Sequence, residues 1–284
     1  MVKKLSPAKV NLHLTVLGKR GDGYHDIVTL MQKISLCDEM TFSLGTGGGR
    51  LTLKCPGSDL PDDERNIVYR AAKAYLTLAS CEKGVAISIK KKIPVAAGLG
   101  GGSSNAATTL IALNEMLGNG LSRGELIKIG KELGADVPFF IFGQTAWAFG
   151  AGDILQAAEN IPPLWFLLVN PRFAVSTKAI YESLNLGLTK DTINYSIPRF
   201  QIKAGNSLIE GLKNDLEGVT LNLHPQLNQL KKDLLRCGAR GALMSGSGPT
   251  VFGIFEREDR ALKAKEALTN EGSGKLWVYL AHSI

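Results

Sequence analysis

Four of the five residues from Gly98 to Gly102 are glycine, and no other segment constrains the fold as much. The apolar residues Val85, Ile87 and Ile89 alternate just before it and read as a strand that Pro94 ends. Just after it, Ser103-Ser104-Asn105 opens a stretch to about Leu117 that reads as a helix. Glycines this dense let the backbone adopt positive φ and come close to a ligand. The helix that follows presents unpaired N–H groups and the positive end of its dipole, which suit a phosphate. Ser103 and Ser104 add hydroxyls, as donors to phosphate or as oxygens for a metal. No G-K-[ST] follows at Walker spacing. The dinucleotide fingerprint fails as well, since its third glycine would fall on Ser103 counted from Gly98, or on Asn105 counted from Gly100. The competing reading is a flexible surface loop with serine caps.

The 284 residues correspond to about two domains of roughly 150 residues each. With 44% hydrophobic and 21% charged residues, a disordered or collagen-like chain is excluded. No apolar run approaches the ~18 residues of a membrane-spanning helix. Pro7, Lys9, Asn11 and His13 interrupt the apolar run that a secretory signal needs, so the first residues are assigned to the fold. Cys37, Cys55, Cys81 and Cys237 show no metal-ligand spacing and the four histidines are dispersed, which argues against a zinc site. Reduced thiols in a cytoplasm are the default for such a chain.

Strands are expected from about Val10, at Leu51 and Leu53, and over Ala146–Phe149, Leu164–Val169 and Val251–Phe255, while Ile27–Leu36 carries an extended or mixed pattern. Gly45–Gly49 punctuates an expected hairpin. Asn66 is placed to cap a helix carrying Ile67, Ala71, Tyr75 and Leu78, and Ser122 with Glu125 forms a capping box for another. Gly134 sits where a C′ residue would stop that second helix. Pro225 opens a further helix that ends near Gly238, and Arg260–Leu268 reads as the last one. Strands and helices mix without a βαβ rhythm, which favours α+β. The stretch Asn160–Pro163 is the best boundary, dividing the chain into 1–159 and 160–284.

Several residues outside the glycine segment bear on chemistry. Asp136 precedes Val137-Pro138, so it reads either as a helix N-cap or as a carboxylate that takes a proton from a substrate hydroxyl. A nearby lysine would keep such a carboxylate ionised. Lys9 is a candidate, although spacing alone cannot bring the two together. Tyr24-His25 follows the turn Gly21-Asp22-Gly23 and reads either as a half-buried pair or as a platform for a nucleobase. Stacking on one aromatic is worth about 1–3 kcal/mol in single-strand binders. Ser245-Gly246-Ser247-Gly248-Pro249-Thr250, taken alone, is a turn before a strand. Net charge is +7, and residues 1–100 hold fifteen Lys/Arg against nine Asp/Glu. Lys90-Lys91-Lys92 is the one basic cluster, too short a stripe for nucleic acid. A small, highly anionic ligand or a solvated basic surface fits the excess better.

Taken in order, S-P-A-K-V-N-L at residues 6–12, G-L-G-G-G-S-S-N-A-A at 98–107 and S-G-S-G-P-T-V-F at 245–252 resemble the GHMP kinases. Residues 6–32, L-G-A-D-V-P at 133–138 and N-D-L-E at 214–217 are similar to the members whose acceptor is a cytidine diphosphate-linked methylerythritol. The resemblance implies two α+β domains, one like the second domain of ribosomal protein S5 and one ferredoxin-like. It implies transfer of phosphate from ATP, with Mg²⁺, to the acceptor's 2-hydroxyl in the non-mevalonate route to isoprenoids. Neither nucleic acid nor membrane is an expected partner.

Carried over residue by residue, the resemblance makes Lys9 and Asp136 the catalytic pair, with Asp136 as base and Lys9 stabilising charge. Pro94-Val95-Ala96-Ala97-Gly98-Leu99-Gly100-Gly101-Gly102-Ser103-Ser104 becomes the phosphate segment, and Asn66 and Lys91 become adenine contacts. Tyr24, His25 and Tyr181 correspond to the cytosine pocket, and Asn11 lies beside the acceptor. Asp153 stands where the family pattern G-x-G-E has Glu. Two rival readings are another GHMP kinase, acting on homoserine or a mevalonate, and a GHMP-fold binding protein without catalysis.

Overall fold

From Ala8 to Leu14 every side chain of the first strand is buried, so that strand is covered on both faces. The alternation of apolar and polar residues there predicts a strand from about Val10. Instead the strand begins at Val2, and its polar residues face inward with partners. The computed structural model describes residues 1–45, 48–118, 120–184, 207–271 and 275–284. Its first part runs β1 (Val2–Lys19), β2 (His25–Leu44), β3 (Leu51–Lys54), α1 (Ile67–Leu78), β4 (Val85–Lys90), α2 (Gly101–Leu117), α3 (Arg123–Leu133), α4 (Val137–Phe142), β5 (Ala146–Gly150) and β6 (Ile154–Ala157). The remainder runs β7 (Trp165–Asn170), α5 (Thr177–Glu182), α6 (Ser207–Glu210), β8 (Lys213–Asn214), α7 (Asp215–Leu223), α8 (Gln226–Arg236), β9 (Gly241–Met244), β10 (Val251–Phe255), α9 (Glu258–Glu271) and β11 (Trp277–His282). No helix among the described residues is long and apolar enough to cross a membrane.

The chain divides into two compact units: residues 1–8, 36–94 and 100–143 form the first, and 9–35, 95–99 and 144–284 the second. In the first, β4 pairs antiparallel with β2, from Glu39↔Lys90 to Leu44↔Val85, and parallel with β3, from Leu51↔Val85. This corrects the expected hairpin at Gly45–Gly49. The β4 strand, with Val85, Ile87 and Ile89 buried, takes the place beside β2, and the four-residue β3 is left at its far side. Asn66 caps α1 as expected, its Oδ1 accepting from the Val68 N–H at 2.9 Å. The capping box of Ser122 and Glu125 is complete at the start of α3. Gly134 ends α3 as expected, with a φ of 172° that is extended backbone any residue adopts. The buried Tyr75 of α1 donates to Asn114 Oδ1 on α2 at 3.0 Å, which satisfies its hydroxyl inside the core.

One carboxylate organises this unit. Asp38, on β2, is fully buried and accepts from the Lys92 N–H at 2.7 Å, the Ile93 N–H at 2.9 Å, Asn105 Nδ2 at 2.9 Å and Lys91 Nζ. Asn105 Nδ2 also donates to Ser6 Oγ at 2.8 Å, and Ser6 donates on to Ser104 Oγ at 2.8 Å. Strand alternation sends the neighbouring residue Glu39 outward, where it pairs with Lys92 at 2.5 Å. Removing one partner of a buried ion pair leaves an uncompensated charge and costs about 3–5 kcal/mol, whereas exposed pairs contribute little. Asp38→Asn is therefore expected to lower the urea midpoint strongly, and Glu39→Gln to leave it unchanged. Equal midpoints for the two variants would show that Asp38 is not the anchor.

The second unit carries an antiparallel sheet in the order β11-β7-β10-β9. With α8 between β7 and β9 and α9 between β10 and β11, this is the ferredoxin-like βαββαβ arrangement. Leu227 and Leu234 of α8 and Ala261, Ala264 and Leu268 of α9 are buried in one cluster with Leu167, Val169, Val251 and Phe255 of the sheet. Each fully buried large side chain of this set contributes about 1.5–3 kcal/mol. In the same unit β5 pairs antiparallel with β2 from Ile27↔Gly150 to Met31↔Ala146 and with β6, while β8 pairs parallel with β1 at His13↔Lys213 and Leu14↔Asn214. The sequence reading did not find β6, β9, β11 or the short elements between β7 and α8.

Candidate functional site

The second unit gathers several of the expected residues. The backbone N–H of Lys9 donates to the Leu99 carbonyl at 3.0 Å, fixing the glycine segment against β1. Lys9 Nζ, on a side chain only 4% exposed, donates to Asn11 Oδ1 at 2.6 Å. Gly98 has φ +74°, and a β-carbon there would stand 2.0 Å from the Ser245 carbonyl oxygen. Ser245 Oγ donates to the Gly98 carbonyl at 2.8 Å. A β-carbon on Gly246 would in turn lie 3.5 Å from Asn11 Oδ1. The Ser245–Thr250 turn, weak as a sequence signal, is thus the surface on which Gly98 seats, next to Asn11.

The N-D-L-E segment holds that turn in place. Asn214 Nδ2 donates to the carbonyls of Met244 at 2.8 Å and Gly246 at 2.7 Å, while its Oδ1 caps α7. Asp215 Oδ2 accepts from the Val16 N–H at 2.9 Å, tying β1 to the same segment. Leu216 is buried, and Glu217 accepts from the Met244 N–H at 2.9 Å and pairs with Lys231 at 2.6 Å. His13 lies close by on β1, with Nδ1 3.0 Å from the Gly211 carbonyl and Nε2 2.9 Å from Thr15 Oγ1. Nδ1 faces a carbonyl and so carries a proton; in the neutral ring Nε2 then accepts from the Thr15 hydroxyl, to which Lys213 Nζ also donates at 3.2 Å. Burial lowers the His13 pKa and Lys213 lowers it further, against the opposing pull of Gly211 and Asp215.

The Gly21–His25 turn is braced by Arg20. Its guanidinium holds Asp22 at 3.1 Å and the nearly buried Asp26 at 3.1 Å, and its backbone N–H donates to the Tyr24 carbonyl at 2.8 Å. Hydrogen bonds to Asp22 and Asp26 raise the Arg20 pKa and lower that of Asp22. Tyr24 is 57% exposed, so the half-buried reading does not hold for it. The His25 and Tyr181 rings meet with centroids 4.8 Å apart and planes tilted by 35°. Burial, helped by Lys19, lowers the His25 pKa and favours the neutral ring. Thr177, one helical turn before Tyr181, is 2.8 Å from Ser247 across their hydroxyls.

In the first unit, Gly100 (φ +67°) is the N-cap of α2, and no side chain caps the helix's first N–H groups. Ser103 is half-exposed in that first turn, whereas Ser104 is fully buried and holds Ser6. The ammonium of Lys91 is bound to Asp38 and, at 3.1 Å, to Asn105 Oδ1. The amide of Asn66 is divided between the Val68 N–H and the Pro61 carbonyl at 2.8 Å. Asp136 stands at the N-cap of α4, yet its side chain makes no capping bond, so the simple capping reading fails. Asp153 belongs to the turn between β5 and β6, its N–H donating to the Phe149 carbonyl at 3.2 Å. Among the described residues no three His, Cys, Asp or Glu side chains form a candidate metal cluster.

Sequence reasoning passed over Asp38, Thr29 and Arg20, and met Asp215 and Glu217 only as part of the N-D-L-E segment, without a role. The partners of Asp38, Thr29, Asp215 and Glu217 lie elsewhere in the chain, whereas those of Arg20 lie within six residues of it. The clash at Gly98 makes a direct test. Overpacking against a backbone carbonyl in a left-handed conformation is expected to cost Gly98→Ala at least about 2 kcal/mol. Gly102→Ala, with no neighbour nearer than 3.8 Å, is expected to keep or slightly raise the midpoint. Similar melting curves for both would sink the seating of Gly98 on Ser245.

Two family models match the chain: GHMP kinases N terminal domain over residues 66–144 and GHMP kinases C terminal over residues 198–274. A 4-diphosphocytidyl-2-C-methyl-D-erythritol kinase of Syntrophus aciditrophicus is 59% identical, covering 100% of both chains. The protein of the same name from Geobacter metallireducens is 51% identical over 93% of each. A crystal structure of 4-(cytidine 5'-diphospho)-2C-methyl-D-erythritol kinase superposes with a TM-score of 0.79 at 36% identity, covering 99% of both chains. A homoserine kinase from Cytophaga hutchinsonii, at 20% identity and a TM-score of 0.74 over 100% of this chain and 94% of its own, shares the fold. With both domain models matched and relatives this similar along their whole length, the chain belongs to the GHMP kinases and, within them, to the 4-diphosphocytidyl-2-C-methyl-D-erythritol kinase family.

Proposed function

We propose that the protein transfers the γ-phosphoryl group of ATP to the 2-hydroxyl of 4-diphosphocytidyl-2-C-methyl-D-erythritol, yielding the 2-phosphate and ADP. Relatives of that name, similar over the full chain, support the reaction. The observation that carries the acceptor is the ring contact of His25 with Tyr181, beside the braced and exposed Tyr24. An aromatic set of this kind suits a cytosine, and homoserine or mevalonate has no ring to fill it. The boundary at 159/160 is proposed as well, supported by the family-model matches falling on either side of it. A cytoplasmic location agrees with four cysteines of which none forms a disulfide.

Phosphoryl transfer needs alignment and neutralised charge more than covalent help from the protein. The uncapped start of α2 and the glycine segment would cradle the phosphates through backbone N–H groups. Asp136 would take the proton of the 2-hydroxyl as its oxygen bonds to the γ-phosphorus and the bond to the ADP oxygen breaks. Lys9 would stabilise charge on the transferring group. Magnesium binds through phosphate oxygens with one or two protein oxygens and keeps several waters. The half-exposed Ser103 hydroxyl fits such a ligand set, and the bound ion would supply neutralising charge. Asn66 and Lys91 would meet the adenine only with what their internal bonds leave over, such as the second lone pair of the amide oxygen or the lysine stem.

The acceptor is tested by ADP release with Mg-ATP and each of diphosphocytidyl methylerythritol, homoserine and mevalonate. Turnover with the cytidyl acceptor alone is expected. Turnover with another acceptor would discard the cytosine pocket, and none with any would favour a binding protein. Asp136→Asn is expected to cut turnover by at least about 100-fold with little change in KM, the scale of a lost general base. Near-normal turnover in that variant would remove Asp136 as the base.

A further inference from the structure

We propose that Thr29 is a positioning residue for Lys9, acting through the amide of Asn11; the proposal rests on the role given to Lys9 above. Thr29 lies on β2, 1% exposed, and its hydroxyl donates its single proton to the His13 carbonyl at 2.6 Å. Toward Asn11 that oxygen can therefore only accept, and it does so from Asn11 Nδ2 at 2.8 Å. The amide is thereby oriented: its N–H₂ end faces Thr29, and Oδ1 faces Lys9 Nζ at 2.6 Å. Turned over, the same amide would set N–H donors against an ammonium, which has donors only.

Burial gives this relay its force. Asn11 is 2% exposed and Lys9 4%, so water does not freely replace a lost partner. A lysine head on a four-carbon stem has many orientations, and an aimed carbonyl oxygen selects among them. Thr29 itself is held by the β2–β5 pairing, opposite Ala148, and the His13 carbonyl belongs to β1. The direction of the whole relay is thus set by strand backbone and ends at Lys9 Nζ.

Thr29→Val keeps the branched shape and removes the hydroxyl; Thr29→Ser keeps the hydroxyl. Thr29→Val is expected to lower kcat about tenfold or more, within the range that misplacing a reacting group costs, with KM for both substrates nearly unchanged. Thr29→Ser is expected to restore most of the turnover. The double variant Lys9→Met/Thr29→Val should be no slower than Lys9→Met, because the second change removes only what served the missing lysine. Should Thr29→Val fail to fold, Thr29→Ala removes the same hydroxyl without adding a methyl and carries the same expectation. Normal turnover in the hydroxyl-free variant, a further loss in the double variant or no rescue by serine would each overturn the proposal. Normal turnover in Lys9→Met would instead overturn the role of Lys9 itself, and the two failures are read from different variants.

Discussion

A carboxylate with no access to solvent must be satisfied from within, and Asp38 shows how much structure that demand can organise. Its two oxygens take two backbone N–H groups from the segment that follows β4, one amide from α2 and the ammonium of Lys91. Three stretches far apart in sequence are thereby held in one register. Ser6 extends the network from β1 to Ser104, inside the first turns of α2. The approach to the glycine segment and the helix start that follows it are therefore both set by the same buried charge. A hydrophobic residue at position 38 could fill the space, but it could not direct four donors.

The second unit meets a comparable need with backbone and side-chain carbonyls. Gly98 can seat on the Ser245 turn only because it lacks a β-carbon, and the turn is in turn held by Asn214 and Glu217. Asp215 ties the same short segment to β1, the strand that carries Lys9, Asn11 and His13. Four consecutive residues, Asn214 to Glu217, so serve as one clamp: three by hydrogen bonds and Leu216 by burial. Their value lies in bracing the parts of the chain that would touch a substrate, and nothing requires them to touch it themselves.

What could be read from the sequence follows from the range of each interaction. Caps were legible, because Asn66 with Val68 and Ser122 with Glu125 act within one turn. The glycine segment was legible from its composition and its place between a strand and a helix. Asp38 was not, because an acid in Cys37-Asp38-Glu39 reads as a solvated strand residue, and its partners lie 53 to 67 positions away. The buried polar face of β1 failed for the same reason: alternation implies solvent only where the partner is water, and Asn11 finds Thr29, 18 residues on. Strand pairing of β3 with β4 instead of β2 is likewise a long-range choice that turn residues alone do not settle.

The basic excess means less once its ion pairs are known. The excess of basic residues in the first hundred suggests a field that gathers anions. At least six of those fifteen, Lys4, Arg20, Arg65, Lys73, Lys91 and Lys92, are paired with acids. Lys91 and Lys92, two thirds of the one basic cluster, are spent on Asp38 and Glu39. A paired surface lysine adds little to a long-range field once salt screens it over about 8–10 Å. Recognition of a polyphosphate, as proposed above, would then fall to groups that are fixed and local. The uncapped N–H groups at the start of α2 are of this kind, with the Ser103 hydroxyl beside them. Their dipole acts within about one helical turn, and for that reason the network around Asp38, which sets the position of that turn, matters more to an anionic ligand than the net charge of the chain.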